Sequence, residues 1–130
     1  MTQAQDLPFA AGDSALDSKL GLEITEWTAQ RVAGKAPVEG NTQPMGLWHG
    51  GASATMIETL GSLGANAHGT PAVGTELNVT HLRAVRSGWV HGVATAVHLG
   101  RSTAIYQVEL SDDQGRRIAT GRLSCRILAD

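Results

Sequence analysis

The chain has 130 residues, 42% of them hydrophobic and 17% charged, with a formal net charge of −2; this describes one compact domain and leaves no room for a second. Cys125 is the single cysteine, which excludes an intrachain disulfide and a cysteine zinc cage and fits a reducing, cytoplasmic setting. The ten lysines and arginines are scattered and the aromatic residues few, so neither a phosphate-neutralising stripe nor a base-stacking platform exists, and nucleic acid is not expected as a partner.

In chain order, residues 1–18 mix polar and small residues without sustained periodicity and are expected to form a lead-in with at most one helical turn, before a single domain at 19–130. They also lack the basic start and apolar run of an export signal, and nothing later reaches spanning length, so no membrane association is expected. The segment 20–29 alternates through Leu22, Ile24 and Trp27, and 31–40 follows closely enough to pair with it as a hairpin, with Pro37 pushing its far end towards a sheet edge. An ordered loop rich in proline and glycine runs through Asn41-Thr42-Gln43-Pro44-Met45-Gly46-Leu47-Trp48-His49.

From Gly51 to about Ala67 the spacing of Ala54, Ile57, Gly61 and Ala65 predicts the one long helix. Its small residues are unusual, because an interior glycine costs about 1 kcal/mol relative to alanine. Close packing against a sheet that curls around the helix explains Gly61 and Gly64. Four β-like runs follow, at 72–85, 89–100, 102–112 and, after the turn signal Asp112-Asp113-Gln114-Gly115, 116–129. The order predicts an α+β fold: a mostly antiparallel sheet with one apolar helix against a face.

Glu58 is the most informative residue. It lies between Ile57 and Leu60 in the apolar helix, where an unpaired carboxylate costs several kcal/mol or holds a proton. Pairing with an arginine or reaching solvent is one account of it; the other is catalysis, with Ser62 one turn later to bond the carboxylate or a water beside it. The junction His49-Gly50-Gly51 offers helix-start N–H groups for an oxyanion, or else merely a sharp turn capped by His49. Gln43 carries an amide that adds a second donor. The run Gly51-Ala52-Ser53-Ala54-Thr55 lacks the last glycine of a nucleophile elbow, and the five histidines show neither of the helical zinc spacings, so no metal site is expected.

The segments QPMGLWHGGASATMIETLGS, VGTELNVTH and HLGRS together resemble the hotdog-fold acyl-CoA thioesterases, in the branch of the phenylacetate-pathway, Arthrobacter-type 4-hydroxybenzoyl-CoA and enterobactin-proofreading enzymes. The resemblance extends over about residues 20–128. It implies a curved antiparallel sheet wrapped around one long central helix, hydrolysis of an acyl-CoA or acyl-carrier-protein thioester, and no cofactor. Residue by residue, it implies that Glu58 is the catalytic carboxylate, as nucleophile or as base for water, and that Ser62 holds the intermediate or the water. Gln43 and the Gly50 N–H would polarise the carbonyl, with His49 near the leaving sulfur. His81 would contact the acyl ring, while Arg83, Arg101, Ser102 and Thr103 would hold the nucleotide or the phosphopantetheine. The assembly implied is a homodimer pairing into a homotetramer. A 3-hydroxyacyl dehydratase and a non-catalytic acyl-binding module are the competing readings; Glu58, Gln43 and Ser62 together favour hydrolysis, whose chemistry needs aimed donors and one activated oxygen.

Overall fold

The computed structural model describes Phe9 and residues 14–67 and 69–128. Eight elements follow one another: α1 (Ala15–Leu20), β1 (Glu23–Trp27), β2 (Arg31–Pro37), α2 (Gly50–Asn66), β3 (Ala72–His81), β4 (Trp89–Leu99), β5 (Thr103–Ser111) and β6 (Arg117–Ile127). The strands form one sheet in the order β1-β2-β4-β5-β6-β3 with every neighbouring pair antiparallel. Strand β3 therefore follows α2 to the far edge of the sheet, and α2 packs against β2 to β6. This is the α+β arrangement expected, with the helix as its centre.

The core is the seam between helix and sheet. Met56, Ile57 and Leu60 of α2 are fully buried against Val32, Val90, Val108, Leu110 and Leu123. The helical glycines have a more specific cause than the curvature expected for the sheet. A Cβ on Gly61 would lie 2.7 Å from Leu123 Cδ2, and one on Gly64 2.5 Å from Tyr106 Cε2. Large side chains of β5 and β6, rather than sheet backbone, thus press into the helix. Tyr106 is itself fully buried, and its hydroxyl donates to Ala29 O.

One expectation changes. The folded body reaches back past Lys19, since Ser14 caps α1 and Asp17 is buried, accepting from Thr59 Oγ1 at 2.7 Å; apart from Phe9, residues 1–13 lie outside those described. Strand β2 lies between β1 and β4, and its far end is an edge, as expected from Pro37. Its proline is tolerated because β1 stops pairing at Glu23↔Lys35, and Pro37 pairs only with Trp89 of β4. The edge that a missing N–H needs is local to that residue.

Candidate active site

The loop before α2 is held by its own backbone. Trp48 N donates to Val85 O at 2.8 Å, His49 N to Asn41 O at 2.9 Å, and Asn41 Nδ2 reaches both Leu20 O and Pro37 O at 2.7 Å. Within it Gln43 closes a tight turn with Leu47 and Gly46, the latter at φ 79°. The Gln43 side-chain oxygen accepts from Met45 N and Leu47 N. Its orientation is thereby fixed, and the amide nitrogen is left as the donor towards a cavity of about 410 Å³. Gln43, Gly50, His81 and Arg83 line that cavity together with Leu47, Trp48, Leu82 and Ile118.

His49 is the N-cap of α2, its Nδ1 accepting from Gly51 N at 2.7 Å. The three-residue oxyanion corner is corrected accordingly: the Gly51 N–H is spent on the cap, and the Gly50 N–H is the one without a partner among the described residues. A neutral imidazole that accepts at Nδ1 carries its proton on Nε2, which keeps a donor available. Gly50 is also where His81 comes close, since a Cβ there would lie 2.7 Å from His81 Cε1.

Two turns along the same helix, Glu58 sits half-buried without a hydrogen-bond partner among the described residues, and burial raises its pKa above the ordinary carboxylate value. Its carboxylate lies over Gly74 of β3, where any Cβ would overlap Oε2. Gly74 pairs with Cys125 of β6, which sets the Cys125 thiol close to Glu58 and Ser62. Burial, reinforced by the charge of Glu58, pushes that thiol up to about 11, with the Ser62 bond pulling the other way. Neither Cys125 nor Gly74 was given a place at the site from sequence, because only the β3–β6 register brings them to Glu58.

The expected site residues thus fall into two groups within one chain. Gly50 and Glu58 both lie on α2, eight positions apart, so a rise of about 1.5 Å per residue separates them by roughly 12 Å. Gln43, His49, Gly50, His81 and Arg83 gather at the start of the helix. Arg101 and Ser102 form the exposed β4–β5 turn and Thr103 opens β5, tied by Gly100 N to Thr103 O at 2.8 Å and by Ile127 N to Ser102 O at 2.9 Å. Ile127 pairs with Ala72, so this turn lies at the end of β3 opposite His81, the end that carries Gly74. Among the described residues no cluster of three or more His, Cys, Asp or Glu side chains could hold a metal ion.

A family model described as the thioesterase superfamily matches residues 45–119, a span that contains Gly50, Glu58, Ser62, His81 and the 101–103 turn. The chain belongs to the thioesterase superfamily. Its class is therefore that of the thioester hydrolases. It is 41% identical over 123 residues to the proofreading thioesterase EntH of Klebsiella pneumoniae, covering 92% of this chain and 90% of that one. A thioesterase structure from Pseudomonas aeruginosa superposes with a TM-score of 0.84 at 34% identity, covering 88% of this chain and 86% of that one. One from Haemophilus influenzae gives 0.84 at 32% identity, over 89% and 84% of the two chains. The expected hotdog thioesterase fold holds, and among the described residues no helix of this thioesterase is long and apolar enough to cross a membrane.

Proposed function

We propose that this protein hydrolyses an aryl or arylacetyl thioester, of the hydroxybenzoyl kind, carried on coenzyme A or on a carrier protein, in a site that two chains build together. One observation carries the reading: the donors and the carboxylate stand at the two ends of β3, about 12 Å apart along α2 by its rise per residue, too far for one carbonyl to meet both. The free edge of β3 supplies the remedy. On one side β3 pairs with β6; its other edge has no strand among the described residues, and Val73 and Leu77 are exposed there. Two such strands pairing antiparallel about a two-fold axis near Glu76 and Leu77 would bring His81 of one chain opposite Ala72 of the other. Gln43 and Gly50 of one chain then face Glu58 and Ser62 of its mate.

In that site the Gln43 amide and the Gly50 N–H donate to the thioester oxygen as negative charge develops on it. Glu58 either takes a proton from water, whose oxygen bonds the carbonyl carbon, or attacks that carbon itself to give an anhydride that water then opens. The carbon–sulfur bond breaks, with His49 Nε2–H donating a hydrogen bond to the departing sulfur; the thiolate takes its proton from protonated Glu58 where Glu58 acted as base, and from the water that opens the anhydride where it acted as nucleophile. Ser62 holds the water. The apolar lining of Leu47, Trp48, Leu82 and Ile118 beside His81 supports a flat ring in the cavity. Arg83 and the Arg101, Ser102 and Thr103 turn would hold the nucleotide or phosphopantetheine. The dimers pair into a tetramer, and the enzyme works in the cytoplasm without a cofactor.

A panel of aromatic and aliphatic acyl-CoAs, with released thiol as the readout, tests the reading. Fastest release from aryl or arylacetyl substrates is expected. No thiol release from any of them, with hydration of crotonyl-CoA, would replace it with the dehydratase reading; binding without turnover would leave an acyl-binding module.

A further inference from the structure

We infer that Gly74 is a positioning residue of the hydrolytic site: its missing side chain is the notch in which the Glu58 carboxylate lies. The inference rests on the reading of Glu58 as the catalytic carboxylate. The α2-facing positions of β3 are Ala72, Gly74, Leu77, Val79 and His81, a two-residue alternation interrupted by a register shift between Gly74 and Glu76. Four of the five carry a side chain. The exception is the one that Glu58 covers: a Cβ there would overlap Oε2, lie 3.0 Å from the Glu58 carboxyl carbon and 3.2 Å from Leu123 Cδ1. At 3.2 Å Leu123 Cδ1 need give only by about a few tenths of an ångström; the overlapped carboxylate has to leave.

The consequence is directional. An α2 side chain in mid-helix would otherwise splay along the helix surface; the notch lets this one lie across β3, whose outer edge has no strand among the described residues. The carboxylate is thus carried towards the edge where the carbonyl-polarising groups of a second chain are proposed to arrive. Gly74 has no positive φ, so the backbone gives no reason for glycine at this position and the room for Glu58 does. The groups facing the carboxylate are few: Cys125 from β6, a neutral thiol pushed up to about 11, and Ser62 from α2. Among the described residues β3 brings no titratable side chain to the notch.

Gly74→Ala in the full-length enzyme tests this with 4-hydroxybenzoyl-CoA as substrate. With Glu58 displaced, kcat should fall by about ten- to a hundredfold while KM stays within about twofold. By NMR, the Glu58 carboxyl should titrate at lower pH than in the parent, because it has turned to solvent, and the acid limb of kcat should move with it. Thermal melts complete a cycle. Gly74→Ala should lower Tm in the parent and leave it unchanged beside Glu58→Asp, whose shorter side chain vacates the notch. If Gly74→Ala alone does not fold and the double variant does, the inference stands. Parent-like kcat and Glu58 titration in Gly74→Ala, or equal loss of Tm in both backgrounds, would overturn it. Near-normal turnover in Glu58→Gln would instead remove the catalytic role of Glu58 itself.

Discussion

Mixing two inactive chains should restore activity, and the amount is set by where α2 places its residues. Gln43→Ala removes a carbonyl donor at the start of the helix; Glu58→Ala removes the carboxylate eight positions beyond Gly50 on α2. The separation of about 12 Å leaves Gln43 of one chain to work with Glu58 of the other, as proposed. A mixed dimer then holds one site with both residues intact and one with both lost. Random pairing on co-refolding equal amounts makes about half of the dimers mixed, so about a quarter of parental activity should return. Thiol release reads it, native mass spectrometry verifies the mixed dimer, and each variant refolded alone sets the background. Verified mixed dimers with no activity above that background would place the whole site in one chain and refute the argument from helix rise.

Glu58→Gln should lose about a hundredfold or more in kcat with the fold intact. Because burial raises the Glu58 pKa, its charge costs the folded state stability at neutral pH; the variant should melt above the parent at pH 7, and the gap should close at low pH, where the carboxyl is protonated in both folded and unfolded chains. Gly64→Ala drives a methyl group to 2.5 Å from Tyr106 Cε2; overpacking of about 1–3 kcal/mol should outweigh the ~1 kcal/mol gained by replacing a helical glycine, lowering the urea midpoint. A raised midpoint would mean that Tyr106 gives way freely. With its thiol pushed up to about 11, Cys125 is about one part in a thousand thiolate at pH 8, so iodoacetamide should label it only on denaturation; labelling of the native enzyme at the rate of a free thiol would contradict that.

Much of the proposed site draws on signals that are local. His49-Gly50-Gly51 opens the helix by capping chemistry, which depends on a few consecutive residues, and Glu58 stood out as a carboxylate at an apolar helical spacing. His81 and Gly50 were both marked, yet nothing local shows that the ring of one lies against the Cα of the other. The closeness of Cys125 to Glu58 was equally hidden, since it depends on β6 lying beside α2.

By itself the sequence determined the element types, the bounds of α2 to within a residue or so and the turn at 112–115, because caps, turns and hydrophobic periods are fixed by neighbours within a turn or two of the chain. Tertiary structure alone decided which strands touch. It sent β3 across to β6 at the edge of the described sheet, placed β2 between β1 and β4, and set Tyr106 and Leu123 against Gly64 and Gly61. Above all it brought Gly74 under Glu58 by a register shift between Gly74 and Glu76. Strand order and register are contacts between residues distant in sequence, chosen by burying the faces of all the elements at once, and a pattern read along one segment does not contain them.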